Sequence, residues 1–194
     1  MRIAVDLDGT IFSCDCFLYK VANKINTNSK DAKLKFCEID KYEERELNFI
    51  SRNVKMFNHK YYQEMEDASF VMRKWNELGY EIIILSSRPE WKMLRASVLN
   101  WLDNFSVDFT MLVVACNNKA EFCKKYNIDV LIDDKFSVCK EAKKNGVEVI
   151  WFCGDSVKNQ TGKIKQAKDW NEVYQRVQEF EQKKITETFE EVEK

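Results

Sequence analysis

Short apolar runs rich in valine and isoleucine recur along this 194-residue chain, and segments with helical periodicity separate most of them. Runs of this kind, without alternating polar residues, are typical of strands that are buried on both faces of a sheet. Their alternation with helices predicts an α/β fold, a Rossmann-like parallel sheet sandwiched between helices. The runs that predict strands lie at residues 3–5, 82–85, 111–115, 130–132 and 147–152.

Proline, glycine and capping residues mark where several predicted helices begin and end. Pro89 fits the first turn of a helix over residues 89–104, because the first helical position needs no backbone N–H. Gly146 is a typical stop for a helix over residues 136–145. Asp169, followed three residues later by a glutamate, resembles a capping box and predicts the start of a final helix.

The stretch between the first predicted strand and the second is too long for a single crossover helix. Its apolar positions repeat at helical spacing, which predicts a small helical insertion over residues 15–62, above the end of the first strand. The resemblance described below implies that this insertion is a cap. The α/β core then comprises residues 1–14 and 63–176. Residues 177–194 are mostly charged but keep some apolar positions at helical spacing, so a solvated helix end or tail and a contact in a homodimer are both open.

Two carboxylates follow the first predicted strand, Asp6 and Asp8 in the sequence DLDGT. Residues two apart in a strand face the same side, so the two charges repel each other and require a cation nearby. Gly9 allows a tight turn in which backbone N–H groups face an anion, and Thr10 adds a hydroxyl there. This arrangement is typical of a Mg²⁺-assisted phosphate site. The alternative is a surface turn in which the aspartates cap the next element.

Two further predicted strands end in polar residues. Ser86, Ser87 and Arg88 follow the second run, and Asp133 and Asp134 follow the fourth. Because ligands of open α/β sheets bind at the carboxyl ends of strands, these ends and the first one should form one crevice. Paired aspartates can cap the following helix. With two more carboxylates in the crevice, they also favour a hard divalent cation, and donors that are all oxygen indicate Mg²⁺.

Two other side chains are candidates for holding a phosphate. Ser86 can donate a hydrogen bond to a phosphoryl oxygen, although serine is also a common turn residue. Lys119 begins a helix predicted over residues 118–126 and would extend toward the same crevice, although many lysines are solvated surface residues. For both residues the two interpretations stay open at this point.

Composition narrows the classes of function. The 31 basic and 32 acidic residues give a net charge of -1, so no broad positive surface for nucleic acid polymers is expected. No apolar stretch has the length of a membrane span and no basic-then-apolar leader precedes the first strand, so we expect a cytoplasmic protein without membrane contact. The seven cysteines are scattered and odd in number, which favours free thiols in a reducing compartment.

Taken together, these motifs resemble those of the haloacid dehalogenase (HAD) superfamily of phosphohydrolases. DLDGT, the first serine after the strand in IIILSSR, the lysine of NNKAEF and the acids of VLIDD occur in that family's order. The resemblance implies that Asp6 attacks phosphorus and forms an aspartyl phosphate, and that Asp8 transfers the proton. It also implies that Ser86 and Lys119 hold the phosphoryl oxygens.

The same resemblance implies how the metal and the substrate are held. It implies a Mg²⁺ site formed by Asp6, the backbone carbonyl of Asp8, Asp133 and Asp134. Of the last two, Asp133 is favoured as the direct ligand. Family members that cleave carbon–halogen bonds lack the second aspartate of DLDGT, so phosphoryl transfer is expected here. The expected substrate-binding residues are Gly9, Thr10, Ser87 and Arg88.

Within the superfamily, the insertion and the segments SSRPEW and DWNEVYQRV are most similar to the 5'(3')-deoxyribonucleotidases and their bacterial relatives. This implies a Mg²⁺-dependent phosphomonoesterase acting on a nucleoside monophosphate, with aromatic residues of the cap as candidates for base stacking. A sugar phosphate or another small metabolite is the alternative substrate. Two other classes compete: a phosphate-binding regulatory module without turnover, and a phosphatase of phosphoproteins or nucleic-acid ends, which a cap disfavours.

Overall fold

The computed structural model describes residues 1–13, 63–154 and 164–192. The cap predicted over residues 15–62, with its aromatic candidates, lies outside the described residues. The strands are β1 (Arg2–Asp6), β2 (Phe12–Ser13), β3 (Gln63–Glu64), β4 (Glu81–Leu85), β5 (Met111–Val113), β6 (Val130–Asp133), β7 (Glu148–Phe152) and β8 (Lys165–Ala167). The helices are α1 (Ala68–Glu77), α2 (Lys92–Asn104), α3 (Lys119–Lys125), α4 (Phe136–Lys144) and α5 (Trp170–Val192).

Six of the described strands form one parallel sheet in the order β5-β4-β1-β6-β7-β8. From the central β1 the chain first adds β4 and β5 on one side and then returns to add β6, β7 and β8 on the other. The strand order therefore reverses beside β1, and a crevice forms there at the carboxyl ends of the strands. The predicted parallel α/β fold is confirmed.

Both faces of this sheet are buried by helices. In β1, Ile3 and Val5 pack into one apolar cluster while Ala4 packs into the other, as the two-residue period of a strand requires. Helices α1, α2 and α5 cover the first face, and α3 and α4 cover the second. Burial on both faces explains why the central strands are continuous apolar runs in the sequence.

The short strands β2 and β3 pair antiparallel, with Phe12 opposite Glu64. This ribbon brings together the two chain segments on either side of the insertion predicted over residues 15–62. The backbone N–H of Met65 extends the pairing by donating to the carbonyl of Ile11 at 2.8 Å. The division into core, cap and tail stays a prediction.

Two predicted element ends are wrong. Helix α2 begins at Lys92 instead of Pro89, because Pro89 lies in a tight turn in which its carbonyl accepts the Trp91 N–H at 2.9 Å. Strand β5 ends at Val113, before the predicted end at Ala115, because Ala115 turns the chain with a φ of 55°. Strand β8 was not predicted, since it is short and its buried side chain is a single alanine.

Other predicted helix ends are confirmed. Helix α4 stops before Gly146, whose φ of 85° is the left-handed conformation that commonly ends a helix. Helix α5 starts after Asp169, whose Oδ1 accepts the backbone N–H of Glu172 at 2.8 Å. The reciprocal bond of a capping box is displaced by one residue, because the Glu172 carboxylate accepts the N–H of Lys168 at 3.1 Å.

Helix α5 is long and continuous, and its first half packs on the sheet through Trp170, Val173, Val177 and Phe180. Further along, Lys184 forms an ion pair with Asp129 at 2.6 Å. None of the described helices is both long and apolar enough for a membrane span. A homodimer contact along α5 stays a prediction.

Candidate active site

The carboxyl ends of three neighbouring strands form the candidate site. Asp6 is the last residue of β1 and Asp133 is the last residue of β6, so the ladder of the sheet fixes both backbones. Ser86 follows β4 on the other side of β1. Lys119 is the first residue of α3, and Asn118 caps that helix by accepting a backbone N–H of its first turn at 3.0 Å.

Lys119 bridges the two aspartates at the strand ends. Its Nζ donates a hydrogen bond to Asp133 Oδ2 at 2.6 Å and another to Asp6 Oδ1. The side chains of Lys119, Asp133 and Asp6 have only 7%, 0% and 8% of their surface exposed. Charges buried to this degree persist only when they are paired, and each of the three is paired here. Lys119 therefore extends into the crevice instead of into solvent.

The cluster carries more negative than positive charge. One carboxylate oxygen from each of Asp6, Asp133 and Asp134 lies within 4.8 Å of the others. Burial, opposed by the Lys119 charge and reinforced by the charges of Asp133 and Asp134, raises the pKa of Asp6 to about 8. Burial lowers the pKa of Lys119, but the charges of Asp6 and Asp133 outweigh it and hold that pKa above its usual value. Three carboxylates thus face a single ammonium group.

This set of donors fits a hard divalent cation. The described cluster consists of carboxylate oxygens, which Mg²⁺ prefers over nitrogen or sulfur ligands. A divalent cation would also favour the ionised form of Asp6 and balance the negative charge that exceeds the charge of Lys119. Both oxygens of Asp133 already accept hydrogen bonds, Oδ2 from Lys119 and Oδ1 from the Lys135 N–H at 2.8 Å. These contacts give Asp133 no preference over Asp134 as the direct ligand.

Asp8 belongs to a second, separate group of charges. Arg88 donates to both of its carboxylate oxygens, from Nε at 2.8 Å and from Nη2 at 2.7 Å. The Arg88 backbone is held too: its N–H donates to Ser86 Oγ at 3.2 Å, and its carbonyl accepts the Ala115 N–H at 2.7 Å. Because Ser86 Oγ accepts that bond, its own proton can point toward the crevice. The family resemblance implies that Arg88 binds the substrate, and the sequence contains no signal for its ion pair with Asp8.

Gly9 brings the turn after β1 against the turn after β6. Its φ is 89°, a conformation that other residues resist. A β-carbon at this position would overlap the Asp134 carboxylate and would lie 2.8 Å from its Cγ. Gly9 is therefore required for two reasons, its own backbone and the close approach of Asp134.

The remaining predicted substrate-binding residues differ in exposure. Ser87 is exposed, whereas the Thr10 side chain is fully buried and its hydroxyl has no hydrogen-bond partner among the described residues. The Thr10 carbonyl accepts the indole N–H of Trp170 at 2.9 Å. In the same way, the Asp134 carbonyl accepts the indole N–H of Trp151 at 2.8 Å. Hydrophobic periodicity assigns both tryptophans to the core and contains no signal for these contacts.

The sequence of the protein also matches a known protein family. A family model described as "PITM 1-3, LNS2 domain" matches residues 46–158, which is more than half of the chain. The chain belongs to this LNS2 family. The LNS2 match includes the candidate residues from Ser86 to Asp134, while β1 with Asp6 and Asp8 precedes it. No curated protein matches the sequence significantly.

Solved structures share the fold of this LNS2 chain. "A predicted phosphatase from Clostridium acetobutylicum" is 14% identical, with a TM-score of 0.64 over 92% of this chain and 98% of that chain. A HAD phosphatase from Thermococcus onnurineus is 15% identical, with a TM-score of 0.59 over 91% and 97%. A HAD-superfamily hydrolase from Ehrlichia chaffeensis is 14% identical, with a TM-score of 0.58 over 92% and 96%. The fold is that of the HAD superfamily.

Proposed function

We propose that this protein is a Mg²⁺-dependent phosphomonoester hydrolase that forms an aspartyl phosphate on Asp6. The observation that carries this proposal is the buried cluster in which Lys119 joins Asp6 to Asp133, with Asp134 beside them. Mg²⁺ held by the three aspartates and the backbone carbonyl of Asp8 would supply the positive charge that lets a carboxylate approach an anionic phosphate. The fold shared with a HAD phosphatase supports the same class of reaction.

In the first step the phosphoryl group moves to the protein. An oxygen of Asp6 attacks phosphorus, the bond from phosphorus to the ester oxygen of the substrate breaks, and Asp8 donates a proton to that departing oxygen. Lys119 has three N–H donors, of which two meet aspartates, so the third can bind a phosphoryl oxygen. The Ser86 hydroxyl donates to a second phosphoryl oxygen.

In the second step water releases the phosphate. Asp8 takes a proton from a water molecule, the water oxygen attacks phosphorus, and the bond from phosphorus to Asp6 breaks. This returns the Asp6 carboxylate and yields inorganic phosphate. Arg88 supports this step because its two hydrogen bonds hold Asp8 as an oriented carboxylate, the form that accepts a proton. In the first step Asp8 must instead carry a proton, so at least one of these two hydrogen bonds has to open when the substrate binds.

Replacing the nucleophile tests the proposal. Asp6→Asn should lower turnover of an aryl phosphate by at least about 10⁴-fold, because an amide cannot attack phosphorus. The matched control is Asp129→Asn, which removes an aspartate that pairs with Lys184 outside the crevice and should keep turnover near wild type. Chelation with EDTA should stop the wild-type reaction, and added Mg²⁺ should restore it. Wild-type turnover in the Asp6→Asn variant, or activity that persists in EDTA, would contradict the proposal.

We further propose that the substrate is a (deoxy)ribonucleoside monophosphate. We also propose that the protein acts in the cytoplasm. The similarity of SSRPEW and DWNEVYQRV to nucleotidases supports the substrate. Free thiols at all described cysteines support a reducing compartment. Phosphate release from matched panels of nucleoside monophosphates and sugar phosphates should be fastest with a nucleotide. Rapid turnover of a sugar phosphate, with every nucleotide inert, would overturn the substrate assignment and leave the chemistry standing.

A further inference from the structure

Two buried indoles hold the backbones of the two turns that carry the site. Trp170, the first residue of α5, donates from Nε1 to the carbonyl of Thr10, in the turn after β1. Trp151, in β7, donates from Nε1 to the carbonyl of Asp134, in the turn after β6. Trp170 and Trp151 have 0% and 8% of their surface exposed, so water has little access to these hydrogen bonds.

The ladder of the sheet fixes some site residues and not others. Asp6 and Asp133 are the last residues of strands and stand in register with neighbouring strands, Asp133 opposite Trp151. Asp134 lies one residue beyond the end of β6, and its carbonyl is held by the Trp151 indole. The position of Asp134 relative to Asp6 thus depends on contacts outside the ladder.

The two turns also touch each other. The Asp134 carboxylate lies directly against the α-carbon of Gly9, where no β-carbon can fit. Trp170 fixes the turn that contains Gly9, and Trp151 fixes the turn that contains Asp134. A shift of the turn after β6 would move Asp134 itself, and a shift of the turn after β1 would act on Asp134 through Gly9. Either shift would therefore change the distance from Asp134 to the other carboxylates of the candidate cation site.

We infer that Trp151 and Trp170 are positioning residues for the Mg²⁺ site, each holding one acid-bearing turn through a single indole hydrogen bond. This inference rests on the proposed function, because it needs a cation at Asp6, Asp133 and Asp134. It adds two residues to the site, one on β7 and one on α5, that contact the backbone of the turns and not the carboxylates. Both contacts are made to backbone carbonyls, so they set the position of a turn and leave the carboxylates available to the metal.

The chain contains a matched control for this inference. Trp75 in α1 is fully buried and packs against Trp170, with ring centroids 5.8 Å apart. Among the described residues its Nε1 has no hydrogen-bond partner. Trp75→Phe therefore removes buried aromatic surface that packs on Trp170, without removing an indole hydrogen bond to either turn.

The Mg²⁺ affinity of three variants distinguishes a role in positioning the site from a role in core packing. The variants are Trp151→Phe, Trp170→Phe and Trp75→Phe. Calorimetry, at a temperature where each variant is folded, should show Mg²⁺ affinity about tenfold weaker for the first two and unchanged for Trp75→Phe. All three should have a lower Tm, because each loses buried surface. Wild-type Mg²⁺ affinity in both Trp151→Phe and Trp170→Phe would overturn the inference.

A second measurement on the wild-type protein does not depend on the folding of a variant. The chain has five tryptophans, so an indole ¹⁵N spectrum has five signals to assign. Titration with Mg²⁺ should shift the Trp151 and Trp170 signals and leave the Trp75 signal in place. If Mg²⁺ binds and neither signal moves, the inference fails and the proposed function stands. If the wild type neither binds Mg²⁺ nor hydrolyses an aryl phosphate, both fail.

Discussion

The two groups of charges in the crevice are built differently. In the cluster, one ammonium group faces three carboxylates, and every member that Lys119 touches is buried. In the pair, one guanidinium meets one carboxylate through two hydrogen bonds, and Asp8 keeps 19% of its side-chain surface exposed. The cluster has an excess of negative charge, whereas the pair is neutral.

This difference assigns different tasks to the two groups. A buried excess of negative charge is costly in free energy until a cation arrives, so the cluster is suited to hold Mg²⁺ and the nucleophile. A neutral and partly exposed pair needs no cation, so Asp8 is suited to meet water and the departing oxygen. The difference predicts the result of mutation. A substitution in the cluster around Lys119 should change Mg²⁺ affinity, whereas a substitution in the Asp8–Arg88 pair should not.

Lys119→Met should have the largest effect. Removing one partner of a buried ion pair lowers the free energy of unfolding by about 3–5 kcal/mol. Turnover should fall about 10²–10³-fold with the loss of a donor to the phosphoryl group. Because the cluster is then more negative, added Mg²⁺ should raise the Tm of this variant more than that of the wild type. Lys124→Met, at an exposed position of the same helix, is the control. Equal gains in Tm with Mg²⁺ would contradict the charge account.

Gly9→Ala tests the contact between the two turns. Gly9 and Gly146 have nearly the same φ, 89° and 85°, but a β-carbon meets Asp134 only at Gly9 and meets no atom within 4 Å at Gly146. Gly146→Ala should lower the free energy of unfolding by about 1–2 kcal/mol through backbone strain alone. Gly9→Ala should also lower turnover about 10²-fold, because Asp134 must move. Denaturant unfolding measures the loss of stability in each variant, and kcat measures the loss of turnover. Equal kcat values in Gly9→Ala and Gly146→Ala would refute this role of Gly9.

The sequence predicts the position of the crevice better than the contacts inside it. Strands β1, β4, β6 and β7 are recognisable because burial on both faces makes them apolar runs. Topology then places the residues at their carboxyl ends together, which brought Asp6, Ser86 and Asp133 to one crevice. Strands β2, β3 and β8 were missed because each has two or three residues and few buried side chains.

The ion pairs inside the crevice could not be predicted from the sequence. Two aspartates at i and i+2 behind a strand indicated one cation between them, yet Asp6 pairs with Lys119 and Asp8 with Arg88. The partner of a carboxylate depends on the path of a long side chain from another part of the fold, which spacing in the sequence does not encode. The indole contacts of Trp151 and Trp170 were missed for the same reason.

Arg88→Lys gives the smallest expected effect and the sharpest test of the comparison. Lysine keeps the positive charge but loses the planar fork that fixes both oxygens of Asp8, so the carboxylate should turn away from its present orientation. We expect kcat to fall about tenfold, because proton transfer by Asp8 depends on its orientation. Mg²⁺ affinity should stay at the wild-type value. The control is Arg95→Lys, whose guanidinium meets Glu90 at 3.1 Å on the surface. Weaker Mg²⁺ binding in Arg88→Lys would contradict the separation of the cluster from the pair, because a change confined to the Asp8 side chain would then have reached the metal site.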